Sequence, residues 1–256
     1  MTEEPYRWLE AIGNRREYVR EQLKGGSPVL AASLPDGILL LGVGSGNTKV
    51  FELHDRLAMA ALGHPADLER IRQAAIDAAH LEAFTRAPED VSLRRLVGFG
   101  LSAQIKLQFE QLFTAPVLGE FVFVELGAER ESDLLFRLHF DGTFSAVPGG
   151  CALVAFPAEA EGRIREWLGA ELRKATPRAA AARLLLEAWW LLSSGSGESS
   201  DVPSAADREA GWRDAVAGKV VEIGWLRRRG GRTARYETLS LDAVLAESEA
   251  PNAARS

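Results

Sequence analysis

Apolar side chains at the start of the chain recur at a helical interval. Leu9, Ile12, Val19 and Leu23 fall on one face, with Arg15, Arg16, Arg20 and Glu21 around them. The pattern predicts an amphipathic helix over residues 6–23, closed by Lys24-Gly25-Gly26, a cation in the last turn with glycine behind it. Two β-rich runs follow, 28–34 and 38–43, split by the turn sequence Pro35-Asp36-Gly37. Gly44-Ser45-Gly46-Asn47 is a loop, and residues 48–53 and 57–62 make a second hairpin around His54-Asp55-Arg56.

Gly63 ends that pattern and Pro65 suits the first turn of a helix. Leu68, Ile71, Ala75, Ile76, Ala79 and Ala83 then repeat at helical spacing over 66–85. A second helix is predicted over 90–113, with Gly98 and Gly100 placed for close approach of two crossing helices, at about 1 kcal/mol each relative to alanine. Strands return where Phe121, Phe123 and Glu125 alternate with Val122, Val124 and Leu126. Runs 134–140 and 143–147 flank an Asp141-Gly142 turn, and 151–156 is a short apolar strand. Helices are predicted over 158–172 and 177–192, the second with Thr176 as cap and Pro177 at its first position. Residues 193–217 read as a surface loop, followed by strands at 219–226 and 233–238, a helix at 240–248 and a frayed tail.

Hairpin-linked strands imply antiparallel sheets, and paired helices between strand blocks must cover a sheet face. The predicted fold is therefore α+β: a four-layer αββα sandwich of two antiparallel sheets, preceded by a helix. No repeat or linker divides the chain. We take residues 1–256 as one domain, with 1–26 a leading segment and helix, 27–248 the core and 249–256 a tail.

Composition narrows the function. The chain of 256 residues is 46% hydrophobic, carries a net charge of −6 and has one cysteine, Cys151. Mean hydropathy is −0.07, and no apolar run approaches a membrane span. These features point to a soluble, cytoplasmic protein without a disulfide framework, a membrane segment or a nucleic-acid partner. Arg227-Arg228-Arg229 with Arg232 and Arg235, beside Gly230-Gly231, is expected to be a solvated hairpin tip. His54, His64, His80 and His139 lack metal-ligand spacing, so neither metal nor cofactor is expected; His64 reads as a helix cap. Trp189-Trp190 lies in an apolar helix and is assigned to core or subunit contact. Gly42-Val43-Gly44-Ser45-Gly46 is not a phosphate loop, because no helix or Lys-Ser/Thr pair follows.

Several strings, in order, carry a resemblance: Glu17-Tyr18-Val19-Arg20-Glu21 with Gly25-Gly26-Ser27, then Asp36-Gly37, Lys49-Val50-Phe51-Glu52-Leu53 and the run 57–63. Over residues 6 to 248 the chain resembles bacterial, actinobacterial-like α-type subunits of the 20S proteasome, in the N-terminal nucleophile hydrolase superfamily. The resemblance implies a non-catalytic outer-ring subunit. It would form a homo-oligomeric, heptameric ring and stack on a proteasome β subunit that carries the proteolysis. It would also gate the entry of unfolded protein substrates and bind the C-terminal tails of a ring-shaped activator ATPase. The opening helix and the first helix pair (66–113) would make most of the ring contacts.

A β subunit needs threonine at the first strand, aspartate after the second and lysine on the third. Ser27, Val43 and Lys49 occupy these positions. Val43 cannot orient a lysine, and Pro28 stiffens the turn that self-cleavage would need. Resemblance further places Lys49 as the cation that meets the activator's tail carboxylate, Gly26 and Gly63 as lining of that pocket, and Glu17, Tyr18 and Arg20 at its edge. Tyr6-Arg7 is the remnant of a longer gate sequence, and residues 1–6 are a candidate pore plug. Two alternatives stay open: an autoprocessed amidohydrolase using Ser27, and a self-assembling homologue without a β partner.

Overall fold

The helical period at the start becomes α1 (Glu4–Leu23), followed by two hairpins, β1 (Val29–Leu34) with β2 (Gly37–Gly44) and β3 (Val50–His54) with β4 (Leu57–Gly63). The structure, a computed structural model, describes residues 4–156, 158–174, 177–195, 202–229 and 235–247. Helix α2 (Pro65–Thr85) is followed by α3 (Leu93–Arg95), a π-helical segment (Leu96–Leu101) and α4 (Ser102–Glu110). Then come β5 (Gly119–Glu125), β6 (Leu134–Leu138), β7 (Phe144–Ala146), β8 (Cys151–Val154), α5 (Glu161–Leu172) and α6 (Arg178–Ser193). Helix α7 (Ala205–Ala215), β9 (Val220–Arg227), β10 (Tyr236–Leu239) and α8 (Leu241–Ala246) complete the described chain.

The strands form two five-stranded antiparallel sheets, ordered β10-β9-β2-β1-β8 and β3-β4-β5-β6-β7. Alternation of side chains across each strand builds three apolar layers. Ala31, Ile38, Leu40, Ala58, Ala60, Val122 and Val124 meet between the sheets. Leu30, Leu39 and Leu41 point outward to Leu168, Leu185 and Trp189 of α5 and α6. Met59, Phe121 and Phe123 point the other way to Ile71, Leu96 and Ile105 under α2 and the segment after it. Both sheets are therefore covered on both faces, which is why β1 is buried at every position. This is the αββα sandwich the pattern implied.

The differences have physical causes. The stretch at 205–215 is a helix, not a loop: Ser204 caps it, accepting from the Asp207 backbone N–H, and Trp212 anchors it in the core. Its surface is polar, so little of an apolar stripe shows in the sequence. The long helix expected over 90–113 is shorter, running from Leu93 to Glu110 with a π segment at Leu96–Leu101 within it, and its glycines serve no helix crossing. A Cβ at Gly98 would meet the Phe144 ring at 3.4 Å, and Gly100 faces open space. Pro177 caps α6 without a side-chain bond; Thr176 lies outside the described residues.

Within the arginine cluster, Arg229 is exposed but Arg228 is not solvated. Arg228 forks onto both carboxylate oxygens of Asp133 at 2.7 and 2.8 Å, with side-chain exposures of 8% and 1%. It also donates to the carbonyls of Leu34, Pro35 and Gly127, while Asp133 accepts from the Ser33 hydroxyl at 2.6 Å. Arg227 pairs with Glu237 and Arg235 with Asp55; Arg232 lies outside the described residues. This one guanidinium ties the β1–β2 turn, the β5–β6 loop and the end of β9 together.

Candidate functional site

Helix α1 enters the sandwich at one end, and only its C-terminal half is seated. Val19 and Leu23 are buried between the sheets, whereas Trp8 and Leu9 are 46% and 66% exposed, so Leu9 does not share the buried face. Arg15 donates to the carbonyls of Gln108 and Thr114 at 3.1 and 2.6 Å, capping the end of α4. Arg16 donates to Asp141 at 3.1 Å in the β6–β7 turn.

Burial alone would raise the pKa of Asp141. The Thr143 hydroxyl and backbone N–H, with the Arg16 guanidinium, outweigh it and hold the carboxyl below its ordinary value. A depressed carboxyl contributes stability above its unfolded pKa and loses that contribution as pH falls through the folded value. This seat for α1 is thus intact at neutral pH and loosens below about pH 4. Thermal melts across acid pH should show the wild type and Asp141→Asn converging there and separating above it. Parallel curves through that range would contradict the assignment.

Beyond α1 the chain turns through Gly25 (φ 79°) into β1. Ser27, the first candidate nucleophile, is in peptide linkage on both sides, and its hydroxyl accepts from the Trp189 indole N–H at 2.9 Å. Its carbonyl accepts from the Lys49 ammonium at 3.4 Å. Val43 is fully buried among apolar neighbours, and no carboxylate stands at its position.

Lys49 leads into β3 along a channel made by two glycines. A Cβ at Gly42 would lie 2.9 Å from the lysine Cβ, and one at Gly44 would lie 3.2 Å from its Cε. Glu222 of β9 accepts from the backbone N–H groups of Lys49 and Val50 at 2.9 and 3.2 Å, fixing the start of the strand. Burial pulls the Lys49 ammonium below the usual lysine range, and the nearby Glu222 charge offsets part of that.

Lys49, Ser27 and Gly63 line one cavity of about 350 Å³, together with Gly25, Pro65 and Lys219. Gly63 is required by backbone packing: at φ 150° a Cβ would lie 2.1 Å from the Leu118 carbonyl oxygen. Gly26 does not line this cavity. It turns against Leu62, whose Cδ2 a Cβ would approach to 2.8 Å. Glu17, Tyr18 and Arg20 line a separate groove between α1 and Phe156, Ala158 and Glu159. His64 accepts from the Ala66 N–H at 3.3 Å as the cap of α2. Trp189, Lys219 and Glu222 were not singled out from the sequence as site residues. The glycines at 42 and 44 were the available signal, since two bare positions facing a lysine on the next strand make room for its stem.

Comparison with known proteins finds several similar chains that share one name. The proteasome subunit alpha of Actinosynnema mirum is 29% identical over 189 residues, covering 73% of this chain and 68% of that one. That of Paenarthrobacter aurescens is 31% identical over 153 residues, 56% of this chain and 63% of its own length. That of Kineococcus radiotolerans is 27% identical over 184 residues, 70% and 74% respectively. The chain is related to bacterial proteasome α subunits. No protein-family model matches it. It has a helix leading into two sandwiched antiparallel sheets. None of its helices, among the described residues, is long and apolar enough to cross a membrane.

Proposed function

We propose that the chain is a non-catalytic α-type subunit of a 20S proteasome core particle, acting as one domain with residues 27–248 as its core. It forms the outer ring, stacks on a β subunit that carries the threonine nucleophiles, gates the entry of unfolded protein, and receives the tail of an activator ATPase in the cytoplasm. The observation that carries this reading is the junction at Ser27. Helix α1 is seated through Val19 and Leu23 between the sheets and joined to β1 by the turn at Gly25; in the uncut chain the Ser27 nitrogen is a peptide nitrogen, not the free amine a nucleophile would need, and the hydroxyl is held by Trp189.

Ring formation is supported by where apolar surface remains. Trp8, Leu9, Tyr18, Leu81, Phe84, Phe99, Leu107 and Phe113 are exposed on α1 or within 66–113, against Phe144 and Val220 elsewhere among the described residues. An obligate ring contact of ~2,000 Å² or more would cover such a surface. Docking at the cavity is supported by Lys49, a half-desolvated cation with room beside it for a carboxylate. Co-expression with a β-type chain tests the reading. A joint particle of ring mass with peptidase activity is expected; separate particles would overturn the proteasome assignment while leaving the fold in place.

A further inference from the structure

Two lysines, Lys49 and Lys219, line the cavity beside Ser27. Lys49 reaches it along the glycine channel and donates to the Ser27 carbonyl. Lys219, in the turn before β9, lays its ammonium over the Trp189 ring at 5.1 Å, and the same indole donates its N–H to the Ser27 hydroxyl. Trp189, only 1% exposed, thus has Ser27 at its edge and Lys219 on its face, and Lys49 and Lys219 line one opening from the segments that lead into β3 and β9.

Neither charge is neutralised. Among the described residues no carboxylate lies within ion-pair distance of Lys49 or Lys219, and no carboxylate lines the cavity. Glu222 is committed to two backbone N–H groups and acts on Lys49 only from a distance. Elsewhere the described surface pairs its lysines locally, Lys24 with Glu21, Lys106 with Glu110 and Lys174 with Glu171. A two-cation cavity without a counter-ion favours an anionic occupant, because a partly desolvated ammonium gains most from a charge-assisted bond.

The geometry points to a two-carboxylate site: the cavity takes a peptide C-terminus whose last residue is acidic, with the chain-end carboxylate at Lys49 and the side-chain carboxylate at Lys219. This inference rests on the docking role proposed for Lys49 and adds what the tail must look like. A C-terminal glutamate supplies both charges from one residue. Lys219 is then the residue that selects among tails.

The test is fluorescence anisotropy of the full-length protein with labelled peptides of one flexible sequence, ending in free glutamate, free glutamine or glutamate amide. At low salt the glutamate end should bind ~5–10-fold more tightly than the glutamine end, the range for an added partly exposed charge-assisted contact. In Lys219→Ala the two should bind alike, and Lys219→Arg should restore the preference. Raising the salt should shrink the preference. Equal binding of glutamate and glutamine ends to the wild type, or a preference surviving in Lys219→Ala, would overturn the inference while leaving Lys49 as a docking cation. If free and amidated ends bind alike and Lys49→Ala changes neither, the docking role itself fails, and this inference with it.

Discussion

Replacing Arg228 with alanine should lower stability by about 3–5 kcal/mol, the range for breaking a buried ion pair by removing one partner. Asp133, 1% exposed at its side chain, would be left with only the Ser33 hydroxyl and the Gly127 N–H, and the carbonyls of Leu34, Pro35 and Gly127 would lose a donor. For a chain of this length each kcal/mol moves the midpoint by ~2–4 °C, so calorimetry should record a fall of about 10 °C. Arg228→Lys should recover little, since an ammonium cannot fork onto a carboxylate and reach three carbonyls at once. A fall of only a degree or two would mean that this arginine is solvated after all.

Lys49→Ala should lower the ratio of activator-stimulated protein degradation to small-peptide hydrolysis by about tenfold or more. A hydrogen bond to a charged group contributes about 1.5–3 kcal/mol, and each 1.4 kcal/mol is a factor of ten. Small peptides need no docked activator, so their hydrolysis by the particle is the internal reference. Alanine also empties the channel between Gly42 and Gly44, where the lysine stem lies. Lys49→Met, which keeps the stem and removes the charge, separates the two effects. The same drop with methionine would assign it to the charge. A ratio held in both variants would remove Lys49 from docking.

Much of the fold is visible in the order of elements, because two-residue periodicity and turn chemistry are local signals. The hairpins at Asp36-Gly37 and at 55–56, and the strand Gly119–Glu125, fell close to their predicted bounds. Helix α7 was hidden because its stability comes from one tryptophan buried against α6, and its other positions are polar or small. The π segment at Leu96–Leu101 was hidden for a related reason: its backbone answers to packing against α2 and β7, which the sequence does not display. The site was legible only in part. Lys49, Gly26, Gly63 and Ser27 are named from the sequence because they stand at family positions; of these Lys49, Gly63 and Ser27 share a cavity and Gly26 does not line it. Lys219 and Glu222 come there through the pairing of β9 with β2, and Trp189, 162 residues from Ser27, through the packing of α6 on β1 and β2. Arg228 was misjudged because a run of arginines beside glycines looks solvated. Its partner, Asp133, lies 95 residues earlier in the chain.

The central claim is that the leading helix remains attached and denies Ser27 a free amine. Intact mass of the purified mature chain tests it most directly. The account predicts a mass that includes residues 1–26, in a preparation that hydrolyses no amide by itself. A product shortened by those residues, beginning at Ser27 and cleaving peptides unaided, would contradict it.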